Sequence, residues 1–185
     1  MELYDPSKVG ARIAHGRSHS VYHYGSDEVI RFPRAEKWIW GSNMVSRFEH
    51  DIAACKKYLG EYVLDTRVVQ DPASGNVATI QPCITGHYLS KADLADPYIK
   101  KQFDDFLERH EAMTRDGYGP VDLIGQGGVL RRRLSNIMVL PDKRIRLFDA
   151  VTADLSDIQR GISVARLVKN LVLRRQESTI RYFRS

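Results

Sequence analysis

The residues whose types and spacing best suit chemistry are Asn136 and Asp149. They stand thirteen positions apart and flank two short apolar runs, Ile137 to Leu140 and Ile145 to Phe148, with Pro141-Asp142-Lys143 between the runs. Turn residues between two β-rich runs predict a hairpin. A hairpin brings its two ends together, so an amide oxygen and a carboxylate at those ends can meet at one hard cation. An ordinary hairpin, with an asparagine cap at one end and an aspartate turn at the other, accounts for the same residues. Shortly before it stand Arg131, Arg132 and Arg133. Guanidinium groups suit phosphate and carboxylate, although a solvated basic run has the same composition. The six histidines, His15, His19, His23, His50, His87 and His110, share no metal spacing, and they read as surface or core residues. Cys55 and Cys83 lack C-x-x-C spacing, so a zinc site or a disulfide framework is not expected.

The strands and helices around these residues follow from the pattern on either side. Ala11 to Tyr24 contains the alternating Ser20-Val21-Tyr22-His23-Tyr24, then the turn Gly25-Ser26-Asp27, then the run Glu28 to Phe32 closed by Pro33. This predicts a strand hairpin preceded by a polar bend. Val45, Phe48, Ile52, Cys55 and Leu59 recur at helical spacing after Ser42 or Asn43 as a cap, and Gly60 is a stop. Strands are predicted over Leu64 to Gln70 and Val77 to Gln81, joined by a connector rich in turn residues. A short helix over Ser90 to Leu94 precedes a longer one opened by Pro97, with Ile99, Phe103, Phe106, Leu107, His110 and Met113 on one face. A glycine-rich stretch, Gly117 to Gly128, leads to the hairpin. A last helix is predicted from Ile158 to Arg174, running on towards Tyr182, with Ile162, Ala165, Leu167, Val168, Leu171, Val172 and Leu173 as its apolar side. The order predicts an α+β fold with its strands gathered in the first half.

Composition excludes some classes. The chain has 185 residues, 43% hydrophobic and 28% charged, enough for one domain with a real core. No apolar run approaches the roughly 18 residues of a membrane span. The acidic start Met-Glu-Leu-Tyr-Asp is unlike a signal peptide, so a cytoplasmic protein is expected. The net charge is +5, and six basic residues face one acid, Glu177, between Arg166 and Arg184. Such an excess points to phosphorylated or anionic partners, an anionic membrane surface among them, but no recognition motif supports nucleic acid.

This order, and the residues at its joints, resemble the protein-kinase-like superfamily, which includes aminoglycoside phosphotransferases and bacterial lipopolysaccharide sugar kinases. The resemblance runs from about Ile13 to Ala150. It implies a two-lobed fold, with a small antiparallel β-sheet N-lobe over residues 1–84 and a reduced, mostly helical C-lobe over residues 85–185. It implies ATP and Mg²⁺ as cofactors, with Asn136 and Asp149 as metal ligands. Gly16 and Val21 fall at the nucleotide loop, and Gln81 and Cys83 fall in the hinge whose backbone pairs with adenine. Arg31 stands where the family has its strand lysine, and Glu49 lies eighteen residues on, at the place of the helix glutamate. No His-x-Asp triplet precedes Asn136. Asp122, in Val121-Asp122-Leu123, is the candidate for accepting the substrate hydroxyl proton, with an insertion of about nine residues before Asn136.

The resemblance thus implies an ATP- and Mg²⁺-dependent phosphotransferase. Only 36 residues follow Asp149, too few for a peptide-binding segment, so the expected acceptor is a hydroxyl of a small molecule or glycan, acidic if the arginines bind it. The alternative is a catalytically weak pseudokinase serving as a nucleotide-binding module, which Arg31 and the missing triplet favour.

Overall fold

The computed structural model describes residues 2–15, 19–33, 44–118, 121–124, 133–150 and 163–185. The chain divides into two compact units, Met1–Ile52 with Leu64–Ile84, and Ala53–Val63 with Thr85–Ser185. This departs from a single cut at residue 84. Residues 53–63 join the second unit because Ala54, Cys55, Leu59, Tyr62 and Val63 are buried in its core.

The first unit is built on one six-stranded sheet. Its strands are β1 (Glu2–Leu3), β2 (Val9–His15), β3 (His19–Tyr24), β4 (Glu28–Pro33), β5 (Arg67–Gln70) and β6 (Val77–Pro82), in the order β1-β5-β6-β4-β3-β2. All neighbours are antiparallel except β1, which pairs with β5 in parallel. The alternation in β3 and β4 puts Tyr24 and Ile30 into a core with Tyr4, Val69, Ala78 and Ile80. The turn between β3 and β4 contains Gly25 at φ 62°, a left-handed conformation that glycine adopts without steric cost. Between β5 and β6, Asp71 accepts from the backbone N–H of Ala73 and Ser74 at 2.8 and 2.7 Å. Its other oxygen accepts from the Tyr4 hydroxyl. That contact holds the residues after β1 against the β5–β6 connector. These three bonds, that from Tyr4 first and then those from Ser74 and Ala73, lower the Asp71 pKa to about 2.

Helix α1 (Met44–Leu59) has a buried stripe of Phe48, Asp51, Ile52, Cys55 and Leu59. It contributes to the first unit through Ile52 and to the second from Ala53. Gly60 follows at φ 56°, the left-handed conformation that commonly ends a helix. The two cap candidates, Ser42 and Asn43, lie outside the described residues.

The second unit joins α2 (Pro97–Arg115) and α3 (Ser163–Arg184) to a three-stranded sheet of β7 (His87–Tyr88), β8 (Ile137–Val139) and β9 (Ile145–Leu147). Asp96 caps α2 by accepting from the Tyr98 N–H, and Pro97 occupies the first turn. Ile99, Phe103, Phe106, Leu107, His110 and Met113 form its buried face, the stripe that the spacing predicts. The stretch expected as a short helix over Ser90 to Leu94 is a 3-10 turn, Lys91–Ala95, with a Ser90–Asp93 capping box. Gly86 runs so close to β8 that a Cβ there would lie 2.3 Å from the Val139 carbonyl oxygen. Only a residue without a side chain fits.

The predicted hairpin is present. Ile137 pairs with Leu147 and Val139 with Ile145. Its turn holds Lys143 at φ 64°. The turn is tied to α2 by Gln102, which donates to the Lys143 carbonyl at 2.9 Å and accepts from the Ile145 N–H at 3.2 Å. In the last helix Leu171, expected on its apolar side, is exposed, and among the described side chains Gln176, Thr179 and Phe183 are buried. At 100° per residue, Leu171 lies well off the face that carries these three. Residues 151–162, and with them the expected start of this helix, lie outside the described residues. No described helix is long and apolar enough to cross a membrane.

Candidate functional site

The second unit gathers Asp122, Asn136 and Asp149 around one loop. Five backbone groups of residues 121–123 have assigned partners. The Val121 N–H donates to Nε2 of His110 at 3.2 Å. The Val121 carbonyl accepts from Nε2 of Gln176 at 2.8 Å, and the Leu123 N–H donates to the Gln176 amide oxygen at 2.8 Å. The Asp122 carbonyl accepts from Nδ2 of Asn136 at 2.7 Å, and the Leu123 carbonyl accepts from the Asn136 N–H at 3.2 Å. Val121 and Leu123 are fully buried on either side of Asp122, whose side chain is half-buried. The segment is therefore held on three sides, by α2, by α3 and by the start of the hairpin.

Asn136 is the link to the metal question. It is only 7% exposed. Its NH₂ group is the sole donor of the side-chain amide, so the bond to the Asp122 carbonyl determines which way the amide faces. Among the described residues no donor reaches its Oδ1, which leaves a buried, oriented neutral oxygen. At the other end of the hairpin, the Phe148 N–H donates to the Asn136 carbonyl at 3.2 Å. Asp149 follows directly and is half-buried. An amide oxygen with no hydrogen-bond donor, close in the fold to a carboxylate, fits the hard-oxygen preference of Mg²⁺. No group of three or more His, Cys, Asp or Glu with metal-holding geometry occurs among the described residues. A cation here would draw its remaining ligands from water or substrate oxygens.

Two arginine-rich expectations meet the structure unevenly. Arg131 and Arg132 lie outside the described residues. Arg133 is exposed, with its guanidinium 5.4 Å from the ring centre of Tyr88, and Tyr88 stands 6.3 Å from Phe148. The guanidinium lies over Tyr88, and it is the Tyr88 ring that neighbours Phe148, the residue before Asp149.

The first unit carries the other predicted residues. Gly16 lies outside the described residues. Val21 is half-buried on β3, opposite Ala14 and Arg31. Arg31 is buried, with its guanidinium 3.4 Å from the Gln81 side-chain oxygen and 3.4 Å from Nδ1 of His19. Gln81 thus turns its side chain to Arg31, while its backbone stands opposite Val29 in the sheet. The Cys83 N–H donates to the Asp27 carbonyl at 2.7 Å, so this amide is already used. Glu49 is exposed on α1, and Asp51 is the buried acid of that helix, 2% exposed. Sequence reasoning missed Asp51. The signal was its place three residues after Phe48 and four before Cys55, within the apolar stripe. It missed Gln176 as well.

Burial lowers the pKa of His110 from its ordinary 6.5 to about 4. Accepting a hydrogen bond at Nε2 also requires the neutral ring. The unfolded chain takes up a proton below pH 6.5 and the folded chain does not until about pH 4. The stability from neutral His110 is therefore complete above about pH 6.5 and is lost as pH falls towards 4. Between pH 7 and pH 5 the loss is about 2 kcal/mol. Urea unfolding at both pH values should show this drop in the parent and a shallower one in His110→Gln. Equal drops in both would mean that the ring is not held neutral.

No protein-family model matches the chain, and no curated protein matches it. Among solved structures it is similar to the Legionella pneumophila Lpg2603 kinase bound to IP6, with a TM-score of 0.55 and 12% identity. The alignment covers 92% of this chain and 56% of that one, so the chain spans little more than half of its neighbour's length. The fold is kinase-like. At this identity the likeness is one of fold and assigns no residue a role.

Proposed function

We propose that the chain is an ATP- and Mg²⁺-dependent phosphotransferase whose acceptor is a hydroxyl of a small molecule or glycan. It adopts the two-lobed arrangement of that superfamily. The observation that carries this reading is the junction at Asn136: its amide is bonded to the Asp122 backbone, and its carbonyl is bonded to the residue before Asp149. Proton acceptor and cation ligands are thereby tied into one loop. Asn136 Oδ1 and the Asp149 carboxylate would hold Mg²⁺, which would supply positive charge against the phosphate oxygens. Asp122 accepts the proton of the acceptor hydroxyl as that oxygen bonds to the γ-phosphorus. The bond from phosphorus to the bridging oxygen breaks, and ADP leaves with the electron pair. Arg31 serves the phosphates, and Val21, Gly16 and the Gln81–Cys83 segment serve the nucleotide. With Glu49 exposed, Asp51 is the better acid to support Arg31. An acidic acceptor or an anionic surface meets the exposed Arg133, Arg174 and Arg181.

A second reading, a nucleotide-binding module with little or no turnover, draws support from Arg31. Its guanidinium lies beside Gln81 and His19 rather than standing as the mobile point charge of a lysine. Thermal unfolding with ATP, with and without Mg²⁺, tests both readings. At about 100 times its dissociation constant the nucleotide should stabilise the fold by roughly 2.7 kcal/mol, an upward shift of about 5–10 °C. No Mg²⁺-dependent shift would overturn both readings. A shift without release or transfer of the γ-phosphate would favour the second.

A further inference from the structure

We infer that Gln176, on α3, is a positioning residue that sets the geometry of Asp122. The inference rests on the phosphotransferase reading for its activity readout. Gln176 is 3% exposed and stands in the buried stripe of α3 with Thr179 and Phe183. A leucine would pack at such a place without polar cost. A buried amide is tolerated only where both its donor and its acceptor are used. Here both are, at 2.8 Å each, and the partners are the carbonyl of Val121 and the N–H of Leu123. The two bonds straddle Asp122. One side chain thus replaces the neighbouring strand that an extended segment would otherwise pair with. His110 and Asn136 hold the same segment from other directions. Among the described residues, only Gln176 grips the residues on both sides of Asp122 from a helix at the far end of the chain, 55 and 53 residues away. Removing it frees a buried N–H and a buried carbonyl, and the segment must move to satisfy them. A shift of about 1 Å in a catalytic group costs on the order of 100-fold in rate.

Two substitutions separate positioning from packing. Gln176→Leu removes both bonds at every pH. Gln176→Glu, when ionised, still accepts from the Leu123 N–H but has no donor for the Val121 carbonyl and sets an anionic oxygen against it. As a neutral acid it donates from its hydroxyl to the Val121 carbonyl and accepts from the Leu123 N–H, as the amide does. Burial favours that neutral form. The measurements are Mg²⁺-dependent ATP hydrolysis, with water as acceptor, and nucleotide affinity from pH 5.5 to 8.5. Hydrogen exchange of the Leu123 amide completes the set. For Gln176→Leu we expect kcat to fall about 10- to 100-fold, nucleotide affinity to stay within about twofold, and the Leu123 amide to exchange at least about tenfold faster. For Gln176→Glu the ratio of kcat to the parent should be near one at pH 5.5 and fall as pH rises to 8.5, as the donor to the Val121 carbonyl is lost. Parental kcat in Gln176→Leu, or a Gln176→Glu ratio that does not change with pH, would overturn the inference. If Gln176→Leu does not fold, the pH profile of Gln176→Glu decides alone. If the parent itself shows no turnover, the phosphotransferase reading fails separately. Amide exchange then decides the positioning claim: faster exchange of Leu123 supports it, and unchanged exchange refutes it.

Discussion

Asp149→Asn is expected to leave the chain folded and to weaken Mg²⁺-ATP binding by at least about 100-fold, with γ-phosphate transfer abolished. The substitution keeps the shape of the side chain and removes its charge. Phosphoryl transfer gathers negative charge on the phosphate oxygens, and a divalent cation offsets that charge only where an anionic ligand holds it. Asn136 offers a neutral oxygen, so without Asp149 the described part of the site has no anionic oxygen at that end of the hairpin. The control lies in the turn of the same hairpin. Asp142 is exposed, accepts from the Arg144 N–H at 3.0 Å and pairs with the Arg144 side chain at 2.5 Å. An asparagine can make the same turn bond. Asp142→Asn should therefore change nucleotide binding by less than about twofold, and stability by only a few tenths of a kcal/mol, as for exposed pairs. Calorimetric titration of both variants with Mg²⁺-ATP checks the pair. Parental affinity in Asp149→Asn would remove this carboxylate from the site, whatever else the fold does.

The second large effect concerns Asp122 and separates chemistry from binding. Asp122→Asn should lower kcat by about 10² to 10⁴, the range for loss of a general base, with nucleotide affinity within about twofold of the parent. The backbone around Asp122 is held by its own carbonyl and by the groups of Val121 and Leu123. Those bonds do not involve the carboxylate, so the loop should keep its shape. Thermal unfolding of Asp122→Asn within a few degrees of the parent would check that. A joint fall in nucleotide affinity and kcat would make Asp122 a binding residue. Unchanged kcat would remove Asp122 from the role of base.

The features legible in the amino-acid order are local ones. Side chains recurring at three and four residues mark the faces of α1 and α2, because a helix turns 100° per residue. The hairpin between Asn136 and Asp149 was legible for a similar reason: two short β-rich runs flank a turn, and the chain can close only one way over so few residues. The kinase-like fold was readable from the order of these elements. Tertiary structure alone decided the rest. Strands β1 and β7 have two residues each, too few for any periodicity, and exist because a neighbouring strand offers them hydrogen bonds. Leu171 looked like core by composition and lies off the buried face of α3. Gln176 carried no local signal, since its partners lie 53 and 55 residues away. Periodicity reports how a segment faces its surroundings. It cannot report which distant backbone groups will need a donor and an acceptor, because that demand arises only once the loop bearing Asp122 is buried.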